Sequence, residues 1–240
     1  MKTQDISLSI REFFKELPDK LSSQAERLRQ GSTKKYVENS LRHTQINKIL
    51  WAQDININIS YTLEDLEKDI STILKINKSM KPSSESMTVY RGTSNRFFPD
   101  LESGQETSVA LDGLTSTSKD ATRSEWFGDS AKFIIYLPAG SMMNKVYKWS
   151  TLASEEEVLL PPATYDIKCV TKSEKGALII ELENPIPQDI HELIFKSLEN
   201  LKKCNSYDSE TVKALDNLEN NLRLKFRLYK NTSSEMLQEC

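Results

Sequence analysis

Apolar residues follow a helical spacing at both ends of the chain and a strand-like spacing in its middle. In the first 80 residues they recur every three or four positions, which places them on one face of a helix. Pro18 and Gly31 interrupt this pattern, and the polar stretch 77–86 ends it. The same spacing returns after Pro187. The predicted helical faces are Ile10, Phe13, Phe14 and Leu17; Leu21, Ala25 and Leu28; Val37, Leu41, Ile46, Ile49 and Leu50; Leu63, Leu66, Ile70 and Ile73; Ile190, Leu193, Ile194, Leu198 and Leu201; and Val212, Leu215, Leu218, Leu222, Phe226 and Tyr229.

Short β-prone runs bounded by glycine or proline occupy the middle of the chain. No helical pattern alternates regularly with them, which argues against a doubly wound parallel sheet. Ser173 to Gly176 is typical of a hairpin turn between the last two runs. We therefore expect an α+β fold with a mostly antiparallel sheet. The predicted strands are 88–91, 113–118, 132–138, 158–160, 165–170 and 177–182.

Composition narrows the class of protein. The chain has 240 residues, of which 38% are hydrophobic and 28% charged, as in ordinary globular domains. A net charge of -3 gives no basic surface for nucleic acid or anionic membrane. No apolar run is long enough for a membrane span, and the first residues lack a signal-peptide core. Three widely spaced cysteines indicate neither a disulfide framework nor a zinc site, so we expect folding in a reducing cytosol.

Three consecutive glutamates precede the predicted strand 158–160. If the chain is extended there, Glu155 and Glu157 point to one side and Glu156 to the other. Two carboxylates beside an apolar core repel each other and are poorly solvated, which makes them candidates for acid–base chemistry. A charged turn before a core strand also explains these residues, and this stretch alone favours that interpretation slightly.

Two motifs earlier in the chain favour a chemical role for these glutamates over a charged turn. The first predicted strand carries Val-Tyr-Arg91-Gly92, and the second carries Gly-x-x-Ser116-Thr-Ser118. With a Leu-Pro-Ala-Gly strand exit and Glu-x-Glu157-Val-Leu-Leu-Pro, their order and spacing resemble the mono-ADP-ribosyltransferases of the arginine-serine-glutamate group. The actin- and Rho-modifying bacterial toxins belong to that group. The resemblance covers roughly residues 61–182.

The resemblance implies a split β-sheet core and NAD as the substrate, with no metal. It implies that Glu157 bonds the ribose 2-hydroxyl and stabilises the oxocarbenium-like sugar cation, and that Arg91 binds the phosphates. Ser116 would hold Glu157, and Ser118 would support it on the same face with Thr117 turned into the core. Gly92 and Arg123 would complete the NAD-binding set. A surface ion pair for Arg91 and a strand-edge hydroxyl for Ser116 are the structural alternatives.

The resemblance also bears on the acceptor. Glu-x-Glu accompanies transfer to arginine in the family, because guanidinium has almost no free lone pair and needs a carboxylate to orient and deprotonate it. That role falls to Glu155. Trp149 corresponds to a target-recognition turn, although a packed tryptophan fits the sequence as well. Trp126 and Phe127 would flank the nicotinamide or pack within a helical turn.

The expected function is transfer of ADP-ribose from NAD to an arginine of a partner protein. The expected organisation is an N-terminal helical region at 1–60, a catalytic core at 61–185 and a helical extension at 186–240. A transferase of this size without an export signal resembles effectors injected by bacterial secretion systems, whose acceptor is a host protein. An NAD glycohydrolase toxin and a non-catalytic helical interaction protein are the alternatives. His43 and His191 are expected to be surface or packing residues on helices.

Overall fold

A computed structural model describes residues 40–52, 55, 57, 60–94, 98–123, 130–146, 156–203 and 207–238. The helices predicted within residues 1–39 lie outside these ranges. The described helices are α1 (Ser40–Leu50), α2 (Leu63–Ser79), α3 (Ile190–Lys202) and α4 (Ser209–Gln238), with a 3₁₀ helix at Pro99–Ser103. The described strands are β1 (Lys81–Pro82), β2 (Met87–Thr93), β3 (Ser108–Leu111), β4 (Thr115–Ser118), β5 (Ala131–Leu137), β6 (Met142–Lys145), β7 (Glu157–Leu160), β8 (Ala163–Lys172) and β9 (Leu178–Pro187).

The strands form one nine-stranded sheet in the order β1-β6-β7-β4-β2-β5-β9-β8-β3. Among the described pairs only β5 and β9 run parallel, which confirms the mostly antiparallel α+β fold. The predicted hairpin between β8 and β9 is also present, with the amide of Gly176 donating to the carbonyl of Ser173. Strands β1, β3 and β6 were not predicted from the sequence, and each of them has four residues or fewer. Strand β2 also continues to Thr93, so Arg91 lies within the strand and not at its end.

The helices pack against one face of part of this sheet. Helix α2 begins with a capping box: the Thr62 hydroxyl accepts from the Asp65 amide, and the Asp65 carboxylate accepts from the Thr62 amide. The apolar faces of all four helices meet Leu159 of β7 in one core cluster. The neighbouring strand residues Val158 and Leu160 point to the other side, into a second cluster. That cluster is built from residues of β2, β3, β5, β6, β8 and β9 together with β7, and from Leu101 of the 3₁₀ helix.

The sheet is nearly divided between β2 and β4. These two strands share a single ladder pair, Tyr90 with Ser118. By contrast, β2 pairs with β5 along all seven of its residues, and β4 pairs with β7 along all four of its own. If the ladder continued, Gly92 would lie opposite Ser116. It stops instead, so the two halves of the sheet separate beside Arg91.

We expect Thr62→Ala to lower the free energy of unfolding by about 1 kcal/mol, because it removes the acceptor that caps the first turn of α2. Urea denaturation monitored by circular dichroism measures this change. Ser84→Ala, at an exposed bend outside the helices, is the matched control and should change stability by less than about 0.5 kcal/mol. Equal effects of the two substitutions would contradict the capping role.

Candidate active site

Arg91 joins the two halves of the sheet where their ladder stops. Its Nη1 donates to the main-chain carbonyl of Ser116 at 2.8 Å. Arg91 lies opposite Phe133 in the β2–β5 ladder, and Gly92 lies beside it, buried and opposite Lys132. The guanidinium is therefore fixed between β2 and β4, and it brings a permanent positive charge to the opening of the sheet.

Glu157 lies on the strand next to Ser116 and Ser118. It is the first residue of β7, is half-buried, and pairs with Ser118 of β4. Ser116 pairs with Leu159, so both serines share a face of the sheet with Glu157. Thr117 turns to the opposite face, where it is buried and its hydroxyl donates to the Val158 carbonyl at 2.7 Å. The register thus makes Ser118 the direct neighbour of Glu157 and Ser116 the diagonal one.

The chain before Glu157 is not an extended strand. Glu156 has φ of 45°, a left-handed conformation that few residues other than glycine adopt, and β7 begins only after it. The expectation that the chain is extended at Glu156 was therefore wrong. Alternation along a strand cannot relate Glu155 to Glu157, and Glu155 itself lies outside the described residues. The Glu156 carbonyl accepts from the Lys119 amide at 3.3 Å, which connects this bend to the end of β4.

The turn after β4 brings Arg123 near the same edge. The Ser118 hydroxyl accepts from the Asp120 amide at 2.9 Å, and Asp120 lies 3.9 Å from Arg123. Hydrogen bonds from Thr122 to the Asp120 carboxylate, more than the charge of Arg123, hold the pKa of Asp120 below its usual value. Arg123 thus lies close in sequence and in space to the end of β4. The predicted contacts Trp126, Phe127 and Trp149 lie outside the described residues.

A cavity of about 340 Å³ opens beside Arg91. This volume lies within the range of small-molecule sites. Ser116, Ser118 and Glu157 are not among the described residues that line it. Its lining residues are Trp51, Arg91, Thr93, Phe98, Ala110, Leu111, Asp112, Gly113, Leu114, Thr115 and Phe133.

Helix α1 contributes residues that the sequence analysis did not connect with the site. The buried Asn47 side chain accepts from the Leu114 amide at 2.9 Å and donates to the Leu114 carbonyl at 3.2 Å. Trp51 follows α1 and lines the cavity. Asn47 forms these bonds across 67 residues of chain, so no local pattern could have revealed them. An asparagine within the apolar face of a helix was the one available signal.

His43 of α1 is affected electrostatically by Arg91. Burial, and secondly the positive charge of Arg91, lower the pKa of His43 from 6.5 to about 4. The imidazole is therefore neutral at neutral pH. His43 is half-buried near Arg91, whereas His191 lies at the start of α3 with its ring against Phe226.

The described residues give two further findings. They contain no group of three or more His, Cys, Asp or Glu side chains arranged to hold a metal ion. The helices in the described ranges are too short or too polar to cross a membrane.

Comparison with known proteins identifies the family. The sequence model of the family NAD:arginine ADP-ribosyltransferase matches residues 61–188, which is more than half of the chain. No curated protein sequence matches significantly. Among solved structures, the fold is similar to Plx2a, an ADP-ribosyltransferase toxin from Paenibacillus larvae, with a TM-score of 0.53 and 20% identity over 73% of this chain and 96% of that one. It is also similar to exoenzyme S from Pseudomonas aeruginosa, solved with human 14-3-3 protein beta and carba-NAD, with a TM-score of 0.50 and 13% identity over 78% and 82% of the two chains.

The low pKa of His43 should make stability depend on pH. The folded state binds the His43 proton only near pH 4, whereas the unfolded state binds it near pH 6.5. Stability conferred by the neutral imidazole is therefore present above pH 6.5 and is lost as the pH falls toward 4. We expect the unfolding free energy of the wild type to fall more steeply over this window than that of His43→Gln. Urea denaturation at pH 7.5, 6.0 and 5.0 measures both slopes, and equal slopes would contradict the burial of a neutral His43.

Proposed function

The chain belongs to the NAD:arginine ADP-ribosyltransferase family, and we propose that it transfers ADP-ribose from NAD to an arginine side chain of a protein. In this reaction the bond between ribose C1′ and the nicotinamide nitrogen breaks, and its electron pair leaves with nicotinamide. An arginine nitrogen then forms the new bond to C1′ and loses a proton. The observation that carries the proposal is the position of Arg91, Ser118 and Glu157 on three neighbouring strands where the sheet divides, with Arg91 bonded to the main chain of β4.

Glu157 acts on the donor in this proposal. Cleavage proceeds through a sugar cation, which a nearby fixed carboxylate stabilises while it accepts a bond from the ribose 2-hydroxyl. Half-burial at the start of β7 removes some of the competing water, and the ladder pair with Ser118 fixes its main chain. Strands lie about 4.8 Å apart, so Tyr90 of β2 and Glu157 of β7 have main chains roughly 10 Å apart. This span suits a ligand whose phosphates lie at Arg91 and whose reacting ribose lies at Glu157.

The remaining NAD contacts follow the motif resemblance. Arg91 presents a planar charged group to the phosphates. Gly92 allows close approach beside it, Ser116 and Ser118 support Glu157, and Arg123 provides a second positive charge after β4. NAD is the substrate, and the proposed chemistry needs no metal.

Glu155 acts on the acceptor by orienting the guanidinium and taking its proton. The Glu-x-Glu spacing supports this assignment; strand alternation does not, because Glu156 is left-handed. Trp149 would contact the acceptor protein. We extend the proposal to the core boundary at 61–185 and to an effector or toxin role after delivery into a host cell. This role rests on the motif order shared with toxin transferases, since the similarity to Plx2a at 20% identity supports the fold alone.

Arg91→Lys keeps the positive charge but loses the planar fork, so we expect the KM for NAD to rise by at least about tenfold with the fold retained. Steady-state release of nicotinamide at varied NAD concentration gives this value. Lys145→Arg on β6, another positively charged position, is the control and should leave KM unchanged. An unchanged KM in Arg91→Lys would reject Arg91 as the phosphate anchor.

The two glutamates should separate into donor and acceptor roles. Glu157→Gln removes the charge that stabilises the sugar cation, so NAD hydrolysis and protein modification should both fall by about two to three orders of magnitude. Glu155→Gln should reduce only protein modification and leave slow NAD hydrolysis. Glu156→Gln is the matched control and should be tolerated, because a left-handed φ strains glutamate and glutamine alike. Nicotinamide release and mass spectrometry of a lysate incubated with enzyme and labelled NAD measure the two activities and the modified residue.

Three results would contradict this proposal in different ways. Equal nicotinamide release with and without acceptor, and no modified protein, would make the chain an NAD glycohydrolase. ADP-ribose found only on residues other than arginine would reject the acceptor assignment. Full activity in all three glutamate variants would reject the mechanism altogether.

A further inference from the structure

We propose that the indole ring of Trp51 is a stacking surface for the adenine base of NAD, within the cavity beside Arg91. The inference rests on the proposed function, because it assigns a place to the half of NAD that does not react. Trp51 lies before the segment that matches the family, residues 61–188. Trp51, directly after helix α1, would therefore complete the substrate site from outside that segment.

The exposure of Trp51 differs from that of its neighbours in α1. Ile46, Ile49 and Leu50 are fully buried in the helical core, whereas Trp51 is 39% exposed and lines the cavity together with Arg91. A single exposed apolar side chain needs no explanation by itself. Trp51, however, is a large aromatic ring in the wall of a cavity that also contains the guanidinium of Arg91, and this arrangement suits a flat, charged ligand.

The neighbouring main chain at Gly113 and Leu114 also restricts the position of the Trp51 ring. Asn47, one turn earlier in α1, forms two hydrogen bonds with Leu114 and so fixes the helix to the chain that leads into β4. Gly113 lies directly against the indole: a Cβ on this residue would stand 2.6 Å from Trp51 Nε1 and 2.9 Å from Asn47 Oδ1. Only glycine permits this approach, so the main chain at 113 supports the edge of the ring. A fixed ring loses little freedom when a flat ligand stacks on it.

The order of chemical groups along NAD indicates that adenine is the part that lies in this cavity. The nicotinamide bond must break at Glu157, which is not among the residues lining this cavity. Arg91 belongs to both sides, because it lines the cavity and also bonds Ser116 on the strand next to Glu157. With the diphosphate at Arg91, the adenosine half extends into the cavity. A volume of about 340 Å³ lies at the small end of the range for sites that bind small molecules.

The remaining walls suit a flat base. Phe98 and Phe133 lie edge to face, with ring centroids 5.1 Å apart, and both line the cavity with Trp51. Thr93, Asp112 and Thr115 provide polar atoms at the same walls. Asp112 accepts a hydrogen bond from Gln188 at 2.8 Å, which fixes its carboxylate. Apolar walls with a few positioned polar groups are typical of sites for small ligands.

The test measures binding of AMP and of nicotinamide mononucleotide, the two halves of NAD, to the full chain. Stacking of one base on an aromatic ring contributes a factor of about ten or more in affinity. We expect Trp51→Ala to raise the Kd of AMP about tenfold and to leave the Kd of nicotinamide mononucleotide unchanged. Trp51→Phe, which keeps a flat ring, should bind AMP within about threefold of the wild type. Leu224→Ala removes an exposed apolar side chain on α4 and is the control.

Fluorescence keeps the test decisive if Trp51→Ala does not fold. Adenine stacked on Trp51 should quench part of the wild-type tryptophan emission when AMP binds, and this quenching should be absent in Trp51→Phe. Unchanged AMP affinity in folded Trp51→Ala, or AMP quenching that persists in Trp51→Phe, would overturn the inference. An equal loss of nicotinamide mononucleotide binding in Trp51→Ala would also overturn it, because Trp51 would then serve the reacting half of NAD.

Failure of this inference can be told apart from failure of the proposed function. If the wild type cleaves NAD and modifies protein but binds AMP independently of Trp51, only the stacking assignment is wrong. If AMP binds and quenches as expected but nicotinamide is never released, the stacking assignment stands and the proposed catalysis is wrong.

Discussion

The bond from Arg91 to the Ser116 carbonyl is the interaction on which the rest of the candidate site depends. It occurs where β2 and β4 stop pairing, so a side chain takes the place of a ladder hydrogen bond between the two halves of the sheet. The sheet can therefore open without leaving that carbonyl unpaired, which would be costly in a half-buried position. The same guanidinium helps to keep His43 neutral and lines the cavity. Arg91 thus links the two halves of the sheet and contributes a positive charge where they separate.

The fold could be predicted from the sequence wherever burial is periodic over enough residues. Helix α2 has a capping box and a long apolar stripe, and β5 alternates buried and half-buried residues along its whole length. Strands β1, β3 and β6 were missed for the opposite reason. Lys81 and Pro82 of β1 are exposed and become a strand only by pairing with Met142 and Met143. Strand β3 alternates correctly, but over only four residues, which local sequence cannot distinguish from a loop.

The strands that carry the candidate residues could be predicted from the sequence, but their arrangement could not. Arg91 and Ser118 lie on strands as expected and Glu157 begins a third, whereas the order of these strands in the sheet comes from the structure alone. The backbone at Glu156 was not predictable, since glutamate gives no local signal for a left-handed φ. The contributions of Asn47 and Trp51 depend on contacts with Gly113 and Leu114, more than sixty residues away, and only the assembled fold reveals them.

The single parallel pair in the sheet has a consequence for the order of folding. Strands β5 and β9 are central neighbours, yet the chain passes through β6, β7 and β8 between them. The β8–β9 hairpin closes through a short turn and can form within about 10 μs, whereas the central pairing must wait until a much longer segment is closed. Glu157 lies inside that segment, and Arg91 lies on β2, which pairs with β5. We therefore expect the candidate site to be among the last parts of the molecule to assemble, so that a partly folded chain lacks it.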